Sequence, residues 1–146
     1  PYGSCDEWRG TQSHQEQDWM TPVAKIVGLL CSNVDQLVGL KVDNICPYKI
    51  DNENVDDKDV ILVVSEDSAG EQEYGNDDVI SILRRITIQF YYPIDYKGDM
   101  ALTEKTVKAF LFARNIRCYL DAGHIMSPDS QNIIQTLKFN YREREE

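Results

Sequence analysis

A chain of 146 residues with 42% apolar content is long enough for one domain with its own core. Its formal charge of −10 argues against tight binding to nucleic acid, which draws its affinity from Lys and Arg. The longest apolar runs, Val60–Val64 and Phe90–Tyr92, fall far short of the roughly 20 residues a membrane-spanning helix needs.

Residues 1–19 read as an irregular arm, polar and acidic with no apolar period and unlike a signal peptide. The sequence leaves three readings of it open: a cloning remnant, a misplaced start, or a native extension that docks on a neighbour through Trp8 and Trp19. Residues 20–146 are predicted to form a single α+β domain. Thr21 suits an N-cap and Pro22 the first helical position, and Val23, Ile26, Val27, Leu30 and Val34 follow at helical spacing. A helix from Pro22 to about Asn33 is expected, with Gly39 the latest place it could end.

Leu40–Ile50 reads as a strand interrupted at Pro47, which favours an edge or a bulge. After the acidic loop Asp51–Asp59, the continuous apolar run Val60–Val64 predicts a strand buried on both faces. A second acidic loop, Ser65–Asp78, leads into the most regular stretch of the chain, Val79–Tyr92. There Ile80, Ile82, Ile86, Ile88, Phe90 and Tyr92 share one face at period two, with Ser81, Arg85, Thr87 and Gln89 on the other. This strand is more than twice the usual length of roughly 5–6 residues, so it must twist hard or project beyond its domain. Projecting hairpins commonly contact neighbouring subunits.

Pro93 closes that strand. Asp99 caps a second expected helix over Met100–Asn115, with Met100, Thr103, Val107, Phe110, Leu111 and Arg114 on one side. Ile116, Cys118 and Leu120 alternate as a short strand, Ser127-Pro128-Asp129-Ser130 makes a turn, and Ile133, Leu137, Phe139 and Tyr141 alternate as the closing strand. The pattern predicts two helices on one face of a mainly antiparallel sheet.

Few residues carry the marks of catalysis. Eleven acids crowd positions 51–78 against one Lys: Asp51, Glu53, Asp56, Asp57, Asp59, Glu66, Asp67, Glu71, Glu73, Asp77 and Asp78. A hard-metal or acid–base site is conceivable from such a set. From Asp51, however, the fifth and sixth positions are Val55 and Asp56, where a calcium loop wants a ligand and a Gly. Solvated, mutually repelling charge is the plainer reading. His14 and His124 have no local partner for a triad or metal set; His124 reads as a strand-end residue. The sequence therefore predicts no catalytic residues, no metal and no cofactor. Cys5, Cys31, Cys46 and Cys118 lack the spacing of a zinc or redox motif and read as buried reduced thiols, with synthesis in the cytoplasm. Arg84 falls on the apolar face of the long strand and needs a carboxylate partner. A salt bridge to a neighbouring subunit makes Arg84 and Arg85 candidate interface residues.

The series M-T-P-V with its helix, the strand D-V-I-L-V-V-S-E, the turn E-Y-G-N-D-D, the strand I-T-I-Q-F-Y-Y, the later G-H-I and the turn S-P-D-S-Q resembles a family of small neck and tail-completion proteins. These belong to long flexible-tailed phages of Gram-positive bacteria and look like tail terminators. The resemblance runs from Met20 to about Tyr141; at the last turn Ser130 lacks the Gly that tends to follow there in the family. It implies a terminator-like fold and a structural virion protein at the neck or top of the tail, made in the host cytoplasm. It further implies a ring, usually a hexamer, that caps the tail-tube protein and meets the head-side connector protein. On that reading the eleven acids are candidates to face the lumen, where DNA passes without being tightly bound. The alternatives are a head-tail connector or tail-tube subunit and, from a different class, a small acidic metal-dependent enzyme.

Overall fold

A computed structural model describes residues 21–51, 53–67, 72–75, 78–127 and 132–144, with the backbone alone for 72–75, 78–81 and Arg144. The arm 1–19, Glu71, Asp77 and the turn residues Pro128, Asp129 and Ser130 lie outside these described residues.

Helix α1 spans Pro22–Ser32, and its start follows from its residue types. The Thr21 side chain accepts a hydrogen bond from the Ala24 N–H at 3.2 Å, and Pro22 spends its missing N–H where no intrahelical bond is needed. Val23, Ile26, Val27 and Leu30 are buried completely. At the far end the Asn33 side chain donates to the Leu29 carbonyl at 2.9 Å, and a short 3₁₀ turn over Val34–Gln36 follows.

The expected strand over Leu40–Ile50 shrinks to β1, Ile45–Pro47, preceded by a 3₁₀ turn at Val42–Asn44. Pro47 ends it, and β1 does lie at a sheet edge. Strand β2, Ile61–Glu66, runs parallel to β1. Its residues Ile61–Val64 are buried on both faces as the unbroken apolar run predicts. Leu62 and Val64 point into the main core with α1. Ile61 and Val63 join Cys46 in a smaller cluster, roofed by Ile50, Val55 and Tyr91.

Within the expected loop Ser65–Asp78 lies a strand that the acidic composition concealed, β3 over Gln72–Gly75. It pairs antiparallel with β4, Asp78–Tyr92, the 15-residue strand of the alternating run. From Ile86 onward the apolar alternation buries Ile86, Ile88, Phe90 and Tyr92 completely. Asp99 caps α2, Met100–Phe112, accepting from the Leu102 N–H at 3.1 Å. The helix stops short of Asn115, which adopts φ 63 while the Ile116 N–H closes back on the Leu111 carbonyl at 3.0 Å. This left-handed termination satisfies carbonyls of the last turn. Strand β5, Arg117–Met126, is longer than the alternation of Ile116, Cys118 and Leu120 suggests, and two bulges break its pairing. Strand β6, Ile133–Arg144, closes the chain between β4 and β5.

The sheet order is β1-β2-β4-β6-β5, with β3 beside the early part of β4. Every pairing except β1–β2 is antiparallel. Both helices cover one face, α1 over β1, β2 and β4 and α2 toward β5. The fold is therefore α+β with a mainly antiparallel sheet, as the sequence indicates. Cys46 is buried and free as expected, whereas Cys118 is free but only partly buried and Cys31, buried in α1, is disulfide-bonded. Sequence spacing carries no information on which distant thiol comes within reach.

Candidate functional site

The cap at Asp99 sets the rotation of α2 so that Thr103, Glu104, Val107, Phe110 and Leu111 face the sheet. One of these is a carboxylate, and Glu104 is only 5% exposed. Burying an ionised carboxylate is costly unless donors replace its water. Three side chains meet it here. The Tyr92 hydroxyl donates to Oε2 at 2.7 Å, His124 Nε2 lies 2.7 Å from the same oxygen, and Gln135 Nε2 donates to Oε1 at 3.2 Å.

The network reaches the surface through Gln135, which also donates to Asp121 Oδ1 at 2.9 Å. Lys108, one helical turn beyond Glu104, donates to Asp121 Oδ2 at 2.9 Å. That ion pair, chiefly the hydrogen bond from Lys108, holds the Asp121 carboxyl below its ordinary range and the Lys108 ammonium above its own. Burial, and then the hydrogen bond to Glu104, push the Tyr92 phenol far above its ordinary range, so it remains a neutral donor. The cluster thus ties α2 to β4, β5 and β6 at once. It contains no activated nucleophile, and among the described residues no group of three or more His, Cys, Asp or Glu is disposed to hold a metal ion.

His124 sits within β5, opposite Gln135, rather than at a strand end. Glu104 and Gln135 escape a search for motifs, yet both leave a trace. Glu104 interrupts the apolar spacing between Met100 and Val107, and Gln135 interrupts the alternation Ile133, Leu137, Phe139. Each is a polar residue at a position that burial reserves for apolar ones, and each is the other's partner.

The same rule explains Arg84. Its side chain, 30% exposed, donates through Nε to Glu143 Oε2 at 3.1 Å on the adjacent strand β6. The carboxylate required by its place on the apolar face is supplied within the chain. The two β-strands run antiparallel with Arg84 opposite Tyr141, which brings Glu143 two positions along into reach. Arg85 is half-buried, and its carbonyl accepts from the Asp67 N–H at 3.0 Å.

Among the described residues the acids do not gather into one band. Asp56 and Asp59 flank Lys41 Nζ at 3.0 and 2.6 Å near the start of β2. The Lys58 N–H first, and Lys41 second, hold the Asp56 carboxyl below its usual range. Asp51 turns the loop, accepting from the Asn54 side chain at 2.6 Å, while Glu53 and Asp57 are exposed. At the opposite end of β2, Glu66 is exposed and Asp67 accepts from Thr87 at 3.1 Å and from Lys138 at 3.2 Å. Glu73 and Asp78 are placed by the backbone on β3 and β4. The six residues of β2 separate the two groups, roughly 3.3 Å for each residue of strand.

Fold and cluster define a two-layer α+β protein whose buried polar groups fasten helix to sheet. The chain belongs to a family described as "Protein of unknown function (DUF806)", which matches residues 20–142. Comparison with curated proteins finds no match.

Proposed function

We propose that this is a structural virion protein, a tail terminator whose copies close into a ring on the finished tail tube and present a surface to the head-side connector. The observation that carries this reading is the overhang of β4. Strand β2 pairs with β4 only from Ile86 to Tyr91, so Asp78–Arg85 continues past it, flanked by β3 and β6. Burial follows the same division: Ile82 and Leu83 are half-buried, whereas every second residue from Ile86 is sealed. A hairpin held out from the core, with apolar side chains partly open, is a contact surface awaiting a partner.

A ring uses one heterologous contact repeated until rotation closes it. DNA passes through such a ring without adhering if no basic surface competes for its phosphates. The acid-rich composition suits that passage, and Glu53 and Asp57, exposed in the Asp51–Asp59 loop, are acids free to repel. Within the chain, Glu143 meets the charge of Arg84.

Size-exclusion chromatography with light scattering tests the proposal. The monomer weighs 16.8 kDa, and a hexameric ring elutes at about six times that mass. A monomer or dimer across the micromolar range overturns the ring, and a small enzyme then becomes the better reading.

A further inference from the structure

We propose that the sheet face turned away from the helices is a docking surface for another protein, one that presents a compact set of carboxylates. A single copy carries this surface, whether or not copies close into a ring. Along β6 the core takes Gln135, Leu137, Phe139 and Tyr141, so Ile134, Thr136, Lys138, Asn140 and Arg142 point to the opposite face. Register then gathers four cations round one residue. Asn140 pairs with Arg85 on one side and with Arg117 on the other, and Lys138 and Arg142 stand two positions away from it along β6. With strands about 4.8 Å apart and about 3.3 Å per residue, the four side chains rise from an area of roughly 10 by 13 Å. Arg117 and Arg142 are exposed, while Arg85, Lys138 and Asn140 are half-buried.

The sign of this area opposes that of the chain, whose formal charge is −10. Lys138 has its carboxylate in Asp67, at 3.2 Å, but Arg85 and Arg117 meet none among the described residues. Cations set this close repel one another, and an anion between them relieves the repulsion. Apolar side chains share the face: Leu120 lies opposite Lys138, and Ile125, Ile134 and Tyr91 form a row across three strands. Leu120 and Ile125 are exposed by 42% and 64%. Both helices lie on the other side of the sheet, and the loop carrying Ile50 and Val55 reaches no further than Tyr91. Arginine beside aromatic and aliphatic side chains is the make-up of a protein contact.

Charge also selects the occupant. Two copies placed face to face would set cation against cation. In a ring of about six, each copy is turned by about 60°, so a face meets roughly the far side of the next copy. Here that side is the helix layer, whose exposed charges on α1 and α2 are Lys25 and Lys105, with no exposed acid. A second copy therefore does not answer the cluster. A nucleic acid extends past so small an area onto an acidic surface, where repulsion is screened only beyond about 8 Å. Carboxylates grouped on a folded partner fit within it, and a guanidinium such as that of Arg85 or Arg117 takes a carboxylate through two parallel hydrogen bonds.

The test measures binding of a fluorescent tetraglutamate peptide and of a short fluorescent DNA duplex by anisotropy at low salt, with the full chain. The wild type is expected to bind the peptide, and Arg117→Glu to weaken that binding at least tenfold. Lys105→Glu makes the same change of charge on the helix side and is expected to leave the affinity within twofold. No binding of the peptide, or equal weakening by the two exchanges, overturns the docking surface. Tighter binding of the duplex than of the peptide, lost in Arg117→Glu, overturns the protein partner in favour of a nucleic acid. Circular dichroism verifies the fold, and should Arg117→Glu fail to fold, Arg117→Gln is expected to weaken the peptide at least threefold, with no change overturning the site. Light scattering separates this surface from the contact between copies: equal masses for wild type and Arg117→Glu are expected, and a smaller mass for the variant overturns the proposal by placing the face between copies. A monomeric wild type that binds the peptide removes the ring and leaves this surface standing.

Discussion

At one end of the sheet, Ile61, Leu62, Val63 and Val64 of β2 are buried on both faces, while at the other not one of the ten residues of β5 is fully buried. The difference lies in what covers each strand. Strand β2 has α1 on one face and the loop carrying Ile50 and Val55 on the other, and it fills both with apolar side chains. Strand β5 meets α2 largely through polar contacts, His124–Glu104 and Lys108–Asp121. The chain concentrates its hydrophobic stabilisation where the strand order ends in a short, proline-blocked edge, and leaves the long edge stabilised by charge and hydrogen bonds.

Truncation measures that contrast most directly. Leu62→Ala removes a side chain with no exposure and is expected to cost about 2–5 kcal/mol in chemical denaturation. The same truncation at Leu120, 42% exposed on β5, is expected to change monomer stability by no more than about 0.5 kcal/mol. Equal losses at the two sites would dissolve the distinction between a sealed and an open end.

The next effect concerns how the sealed end holds its loop. Asn44 has no exposure; its side chain donates to the Asp56 and Val60 carbonyls at 3.1 and 3.0 Å and accepts from the Asp56 N–H at 2.8 Å. Asn44→Ala leaves those backbone groups unpaired and is expected to cost about 1–3 kcal/mol. Urea midpoints measured beside those of the wild type check this, and a loss below a few tenths of a kcal/mol would show that water replaces the amide.

The smallest effect belongs to the open end. Asp121 has a folded-state carboxyl held below its ordinary value, chiefly by Lys108. A depressed carboxylate contributes stability above its unfolded value of about 3.9 and loses it as pH falls through the lower folded value. Stability of the wild type should therefore decline as pH falls below about 4, and Asp121→Asn should shallow that decline. The pair is exposed, so solvent screening keeps the change small. Thermal melts across this range decide it; a variant with an unaltered acid limb would place the titration elsewhere.

Residues 78–92 show what was legible in the sequence and why. Alternation at period two names both the strand and its buried face, because from Ile86 onward that face meets the core. Helix α1 was equally plain, since Thr21, Pro22 and the apolar spacing state its start, direction and buried side locally. Strand β3 was hidden by its acids and Gly75: it exists because β4 overhangs β2 and offers a free edge, a circumstance written far from residues 72–75. The extension of β5 through Met126 depends in the same way on β6 lying alongside it.

The polar anchors divide similarly. That Arg84 must have a partner follows from sequence alone, since it occupies an apolar position and burial without a partner is costly; the burial of Glu104 and Gln135 shows only in the fold. Who the partners are follows only from tertiary structure. Glu143 reaches Arg84 through the register of β6 on β4, and Glu104 meets Gln135 across 31 residues because α2 crosses the sheet at that point. Local periodicity determines which side of an element is buried; the packing of elements distant in sequence determines what each buried charge touches, because hydrogen bonds and ion pairs act over a few ångströms and a linear pattern carries no such distance.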